Sequence, residues 1–179
     1  MATGQHDEIA HELMEDFFQD FSEAHQQCEH TLIALEQTPD DTELLNALFR
    51  NIHTVKGNLV YVGLKDITPI LQSVEDILDA IRKGSLNYDT SLSDVILLTL
   101  DKSHAMVEAR VNHQAPPMPE SSFDELCQWI SRIAEVDESA RPEAIRQALT
   151  LMDPDLALHP REISAVDAPP PYPVIPVDS

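Results

Sequence analysis

The sequence predicts an all-α protein: an antiparallel up-and-down four-helix bundle, one or two accessory C-terminal helices and a disordered tail. Three observations carry this expectation. Apolar residues recur every three to four positions through four successive segments, each closed by a Gly or Pro signal. The chain holds only four Gly in 179 residues, while Ala, Leu, Glu and Asp abound, a composition that favours helix over turn-rich sheet. The connections are short, so consecutive helices become antiparallel neighbours.

The first helix is expected from about His6 to Glu36. Its apolar positions are Ile9, Leu13, Phe17, Phe21, Ala24, Cys28, Leu32 and Leu35, a stripe of roughly 45 Å that needs partner helices. Thr38-Pro39-Asp40-Asp41 stops it, because a proline biases the preceding residue away from helix. Asp40 with Glu43 resembles a capping box and opens the second helix. Its stripe runs Leu45, Leu48, Ile52, Val55, Leu59 and Val62. The segment Leu59-Val60-Tyr61-Val62 would suit a strand in isolation, but the helical stripe runs through it and Gly63 supplies a C-terminal stop.

The third helix is predicted over about Asp66 to Lys83, with Ile67, Ile70, Leu71, Val74, Ile77, Leu78 and Ile81 inward. Pro69 fits only its first turn, and Gly84 closes it. Ser91 with Asp94 reads as the cap of a fourth helix running to about Val111. The apolar run Val95–Leu100 covers more than one face, which marks this helix as the most enclosed. After Ala115-Pro116-Pro117-Met118-Pro119, a shorter helix (about 122–135) carries Phe123, Leu126, Cys127, Ile130 and Ile133. A weaker one (about 142–152) begins at Pro142. Residues 1–112 are therefore expected to form the bundle, 113–152 the accessory helices and 153–179 a proline-rich disordered tail or linker.

The net charge is −21. Nucleic acid and anionic membrane both demand a basic surface, so neither is an expected partner. Residues 1–46 hold twelve acidic side chains and no Lys or Arg, whereas residues 47–83 hold five basic residues against four acidic ones. That locally basic segment is where an anion could be tolerated. No secretory signal or apolar run of about 18 residues is present, and the two cysteines read as buried reduced thiols. A cytoplasmic protein is expected. Six of the other seven histidines (His6, His11, His25, His30, His104 and His113) show no i,i+4 pair, and there is no zinc-type cysteine cluster, so neither a metal nor a cofactor is predicted.

The stretch with chemical content is Leu48-Phe49-Arg50-Asn51-Ile52-His53-Thr54-Val55-Lys56-Gly57-Asn58. On a helix, His53, Lys56 and Gly57 share one surface patch. His53 stands one position from the core residue Ile52, so its imidazole can pack one edge and present the other to solvent. Gly57 costs about 1 kcal/mol relative to Ala in mid-helix, and bare backbone there permits another molecule to approach closely. Lys56 places a positive charge where a phosphoryl group would bring negative charge. Glu75, one position past core residue Val74, could accept from Nδ1–H of His53, fix the tautomer and leave Nε2 as nucleophile.

His53-Thr54-Val55-Lys56-Gly57, with Gly63 ten residues after the histidine, resembles the phosphorylation motif of histidine phosphotransfer domains. Thr38–Arg50 and the helix Leu71-Gln72-Ser73-Val74-Glu75-Asp76-Ile77-Leu78-Asp79 with Arg82-Lys83-Gly84 are similar to the N-terminal phosphotransfer domain of CheA-type chemotaxis kinases. The similarity covers about residues 7–112. It implies a module without catalytic machinery of its own that passes phosphate between a histidine kinase catalytic domain and a response-regulator receiver domain. By that resemblance His53 is the phosphoacceptor, Glu75 orients its ring, and Lys56 and Gly57 are its phosphate-side neighbours. Phe49, Asn58 and Val60 are the expected docking residues, on a monomeric module. The sequence departs from the family at two places. Asn58, Leu59 and Val60 stand where small residues are usual, and Gln72 stands where CheA proteins often have a histidine. The rival expectation is a helical interaction module that signals by binding without phosphotransfer. A third is that the chain is the N-terminal piece of a longer CheA-like kinase.

Overall fold

The computed structural model of the chain describes residues 2–158, with side chains from residue 8 onward. The expected disordered tail beyond residue 158 lies outside the described residues. The elements are α1 (Ala2–Gln37), α2 (Thr42–Tyr61), a 3₁₀ turn (Lys65–Ile67), α3 (Thr68–Arg82), α4 (Thr90–Val111), α5 (Glu120–Glu135), α6 (Arg141–Met152) and α7 (Pro154–Leu158). All regular structure among the described residues is helical. The last short helix falls within the segment assigned from sequence to the tail.

Helix boundaries follow local chemistry. The cap of α2 is Asp41 rather than Asp40: its carboxylate accepts from the backbone N–H of Glu43 (2.9 Å) and Leu44 (3.1 Å). Likewise α4 is capped by Asp89, which accepts from Leu92 N–H at 2.9 Å, and not by Ser91. In both cases the extended residue just before the first turn is the one whose carboxylate can reach the orphan donors. Both glycine stops are Schellman closures. Leu64 N–H reaches Leu59 C=O (2.8 Å) across Gly63, at φ 83°, and Ser85 N–H reaches Ala80 C=O (3.0 Å) across Gly84, at φ 74°. This left-handed backbone is open to glycine at little cost.

The four main helices pack in the cyclic order α1–α2–α3–α4, each antiparallel to the next, with α4 closing back on α1. Leu35, Leu48, Leu59, Ile67, Ile70, Leu71, Val74, Ile77, Leu78, Val95 and Ile96 are fully buried in one core. Each such side chain contributes about 1.5–3 kcal/mol relative to exposure. Helix α4 is enclosed on several sides, against α1, α3 and α6. Ile9 and Leu13, read from sequence as part of the buried stripe, are 51% and 64% exposed. Continuous burial of α1 begins only at Phe17, because the helix runs on beyond the turn where its partners end.

Helices α5 and α6 belong to the same core. α5 covers the outer face of α3, burying Phe123, Leu126, Ile130 and Ile133. There Ser73 Oγ donates to the Cys127 carbonyl (3.2 Å) and accepts from Ser131 Oγ (3.1 Å). Arg141 closes the C-terminus of α5 by donating to the carbonyls of Ile133 (3.1 Å) and Val136 (3.0 Å). α3 is thus held between the bundle and α5, which matters for the carboxylate it carries. Both cysteines are free thiols. Burial first, and then the neighbouring carboxylates of Glu29 and Asp124 respectively, pushes Cys28 and Cys127 up to about 12. Among the described residues no helix is long and apolar enough to cross a membrane.

Candidate functional site

The stripe of α2 fixes where His53 points. With Leu48, Ile52, Val55 and Leu59 driven into the core, the position after Ile52 falls on the flank, and the His53 side chain is 66% exposed. On α3 the same logic acts more deeply: Glu75 follows the fully buried Val74, and its side chain is 6% exposed. Antiparallel pairing of α2 with α3 then sets position 53 beside 75, position 56 beside 72 and 75, and position 49 beside 82.

Glu75 spends both carboxylate oxygens on α2. Oε1 lies 3.0 Å from His53 Nδ1, and Oε2 accepts from Lys56 Nζ at 2.5 Å. A carboxylate withdrawn this far from water is costly unless paired and hydrogen-bonded, and here each oxygen has a partner. A carboxylate offers only acceptors, so this contact is made with hydrogen on Nδ1, which leaves the lone pair on Nε2. The bond is charge-assisted, and it orients the ring as well as choosing the tautomer.

Lys56 is the residue whose placement differs from the sequence expectation. Its ammonium does not stand free beside the imidazole but turns into the α2–α3 seam, donating to Glu75 and to Gln72 Oε1 (2.6 Å). The buried carboxylate is the stronger attractor. Gln72 in turn donates from Nε2 to Asp76 Oδ1 (2.9 Å). The site is therefore a chain of polar contacts, Asp76–Gln72–Lys56–Glu75–His53, running along one seam. Phe49, one helical turn before His53, lies nearly parallel to the imidazole (10°) with centroids 6.2 Å apart. The guanidinium carbon of Arg82 stands 4.3 Å from the Phe49 centroid, a cation–π contact that ties this ring to the end of α3.

Gly57, Asn58 and Val60 lie farther along α2 on its exposed side. A Cβ at Gly57 would meet nothing within 4 Å, so the glycine is not required by packing inside this chain. Val60 is 55% and Tyr61 92% exposed. Sequence reasoning missed Tyr61, although it stands eight residues after His53 and so shares its face. It also missed Asp76 and Arg82, whose roles depend on the α2–α3 register. Among the described residues, the one grouping of three or more metal-ligating side chains lies elsewhere, on the α1–α4 seam.

The chain matches known proteins across this bundle. A family model described as the Hpt domain matches residues 12–153. The chain is 37% identical over 90 residues to the sensor histidine kinase CheAY of Helicobacter pylori, covering 50% of this chain and 11% of that protein. It is 33% identical over 99 residues to the chemotaxis protein CheA of Treponema pallidum, covering 55% and 12%. It is 28% identical over 135 residues to the chemotaxis protein CheA of Klebsiella aerogenes, covering 73% and 20%. The chain thus spans only 11–20% of the length of these relatives.

Proposed function

We propose that this chain, which belongs to the Hpt domain family, carries a phosphoryl group on Nε2 of His53 within a two-component relay. The observation that supports this reading most is the division of labour on one imidazole: Nδ1 is engaged by a buried carboxylate while the ring itself stays two-thirds exposed. In the forward step the Nε2 lone pair attacks the γ-phosphorus of ATP held by a histidine kinase domain. The N–P bond forms as the bond to the ADP oxygen breaks. The ring gains positive charge, which Glu75 stabilises through Nδ1–H without taking the proton. In the second step a receiver aspartate attacks the same phosphorus and the imidazole leaves as the neutral Nδ1–H tautomer. Such transfers rest on positioning and electrostatics, so the module has no catalytic machinery of its own and needs no cofactor.

In this reading Lys56 balances the charge of Glu75 and fixes its orientation, with Gln72 as its second acceptor. Gly57 leaves room for a partner's phosphate-bearing loop. Phe49, Asn58, Val60 and Tyr61 form the docking surface for kinase and receiver. Residues 1–112 supply the transfer unit, and 113–152 brace α3 and with it Glu75. The module works as a monomer in the cytoplasm, with its kinase in trans or on a longer chain.

The test is phosphotransfer to the purified chain from a CheA-type kinase with ATP and from phosphorylated receiver domains, read as acid-labile mass on the intact protein. Wild type should gain one phosphoryl group and His53→Gln none. Absence of labelling from several donors, with both proteins folded, would replace this reading with a module that signals by binding alone.

A further inference from the structure

Far from His53, on the seam where α4 closes against α1, three side chains of metal-ligating type converge. His25 follows the buried Phe21 by one turn of α1, and Glu29 follows His25 by another. Asp101 enters from α4, next to the buried Leu100. His25 Nε2 lies 3.0 Å from Asp101 Oδ1, and its Nδ1 lies 3.9 Å from a Glu29 oxygen. One ligand atom from each of the three can be chosen so that all lie within 4.8 Å of one another. Ligands on a tetrahedral zinc ion stand about 3.3 Å apart, from metal–ligand distances of about 2.0–2.1 Å. The His25–Asp101 pair, at 3.0 Å, is already near that spacing, and the widest separation in the set exceeds it by no more than about 1.5 Å, within reach of rotation of the part-exposed carboxylates.

We propose that His25, Glu29 and Asp101 form a binding site for a divalent transition-metal cation of the zinc type, clipping α1 to α4. The donor set of one imidazole and two carboxylates, with the fourth position left to water, suits zinc better than magnesium or calcium, which prefer all-oxygen shells. The anchoring imidazole is the least exposed of the three: its side chain is only 14% exposed. It packs with its ring centroid 4.9 Å from that of His104. His104 is itself held, with Phe18 and Phe21 beside its ring and Nε2 2.9 Å from Ser22 Oγ. The surroundings favour a cation, since the first 46 residues hold twelve acidic side chains and no Lys or Arg. The α1–α4 seam is across the bundle from the α2–α3 seam that carries His53, so this site stands independently of the phosphotransfer reading.

The experiment is calorimetric titration of the full chain with zinc chloride in chelator-free buffer, repeated with Glu29→Gln, Asp101→Asn and His25→Gln, and with His11→Gln as a control. His11 pairs with Glu15 on the exposed part of α1 (3.2 Å) and is the most evident adventitious alternative. Expected are one zinc ion per chain and affinity lowered by about tenfold or more in each site variant, as loss of ligating or supporting groups commonly does. His11→Gln should match wild type, and magnesium should not compete. Because Glu29 and Asp101 are part-exposed, their variants remain informative even if His25→Gln fails to fold. Absence of saturable binding, or affinity unchanged in both Glu29→Gln and Asp101→Asn, would overturn the site.

Discussion

Removing the Glu75 carboxylate is the sharpest test of how the imidazole is prepared. In Glu75→Ala, His53 loses the acceptor on Nδ1 and Lys56 loses the closer of its two partners. A hydrogen bond to a charged group is worth about 1.5–3 kcal/mol. The imidazole is two-thirds exposed, so water replaces part of the contact and the lower end of that range applies. At about 1.4 kcal/mol per factor of ten, single-turnover transfer should slow by about tenfold, with about a hundredfold as the ceiling. Glu75→Gln should fall between, because an amide oxygen still accepts from Nδ1–H but brings no negative charge to balance the phosphorylated ring. Quench-flow transfer from a phosphorylated receiver measures the rates, and ¹⁵N shifts of the His53 ring report the tautomer in the same samples. A Glu75→Ala protein that transfers within twofold of wild type while keeping hydrogen on Nδ1 would refute the argument.

Four further outcomes are expected. His53→Gln should leave urea stability within about 0.5 kcal/mol of wild type, as an exposed flank position does, while abolishing labelling. Gly57→Ala should separate stability from function: a Cβ there meets nothing within the chain, so the helix gains about 1 kcal/mol and Tm rises by about 2–4 °C, yet transfer slows because the partner's approach is narrowed. The Arg110 guanidinium, 2.5 Å from Asp66 through its nearer nitrogen, holds that carboxyl below its ordinary 3.8. A lowered folded value means the unfolded chain binds more protons, so this stabilisation is full above pH 3.8 and disappears as pH falls through the folded value. Exposure limits it to about 0.5 kcal/mol, and acid unfolding of Arg110→Met should show that difference vanish at the low end. Finally, with both thiols pushed up to about 12, iodoacetamide at pH 8 should leave Cys28 and Cys127 unmodified until denaturant is added, as intact mass will show.

The bundle was legible because its information is local. The stripes of α2 and α3 name their own buried faces, and once those faces are known, His53 and Glu75 are flank positions by arithmetic. The caps were less legible: both Asp40 and Asp41 satisfy the side-chain chemistry, and only the extended backbone at Asp41 decides between them. The course of Lys56 could not be read from α2 alone, since its ammonium is drawn by Gln72 and Glu75 on another helix. Phe49 with Arg82 is a similar case, needing the relative shift of α2 and α3. The cluster on the α1–α4 seam is the extreme one. His25 and Asp101 are 76 residues apart, and nothing in the spacing of either helix marks them as neighbours.

His53 stands on the outward flank of α2, with Nδ1 committed to Glu75 and two-thirds of its side chain exposed. In the proposed relay, donor and acceptor would therefore visit the same ring edge in succession, and neither could wait on the surface while the other works. A partner that holds this face too tightly becomes an inhibitor of the next step. Throughput is then governed by dwell time: each encounter must outlast the chemistry and little more, which favours modest affinity and rapid release over a durable complex.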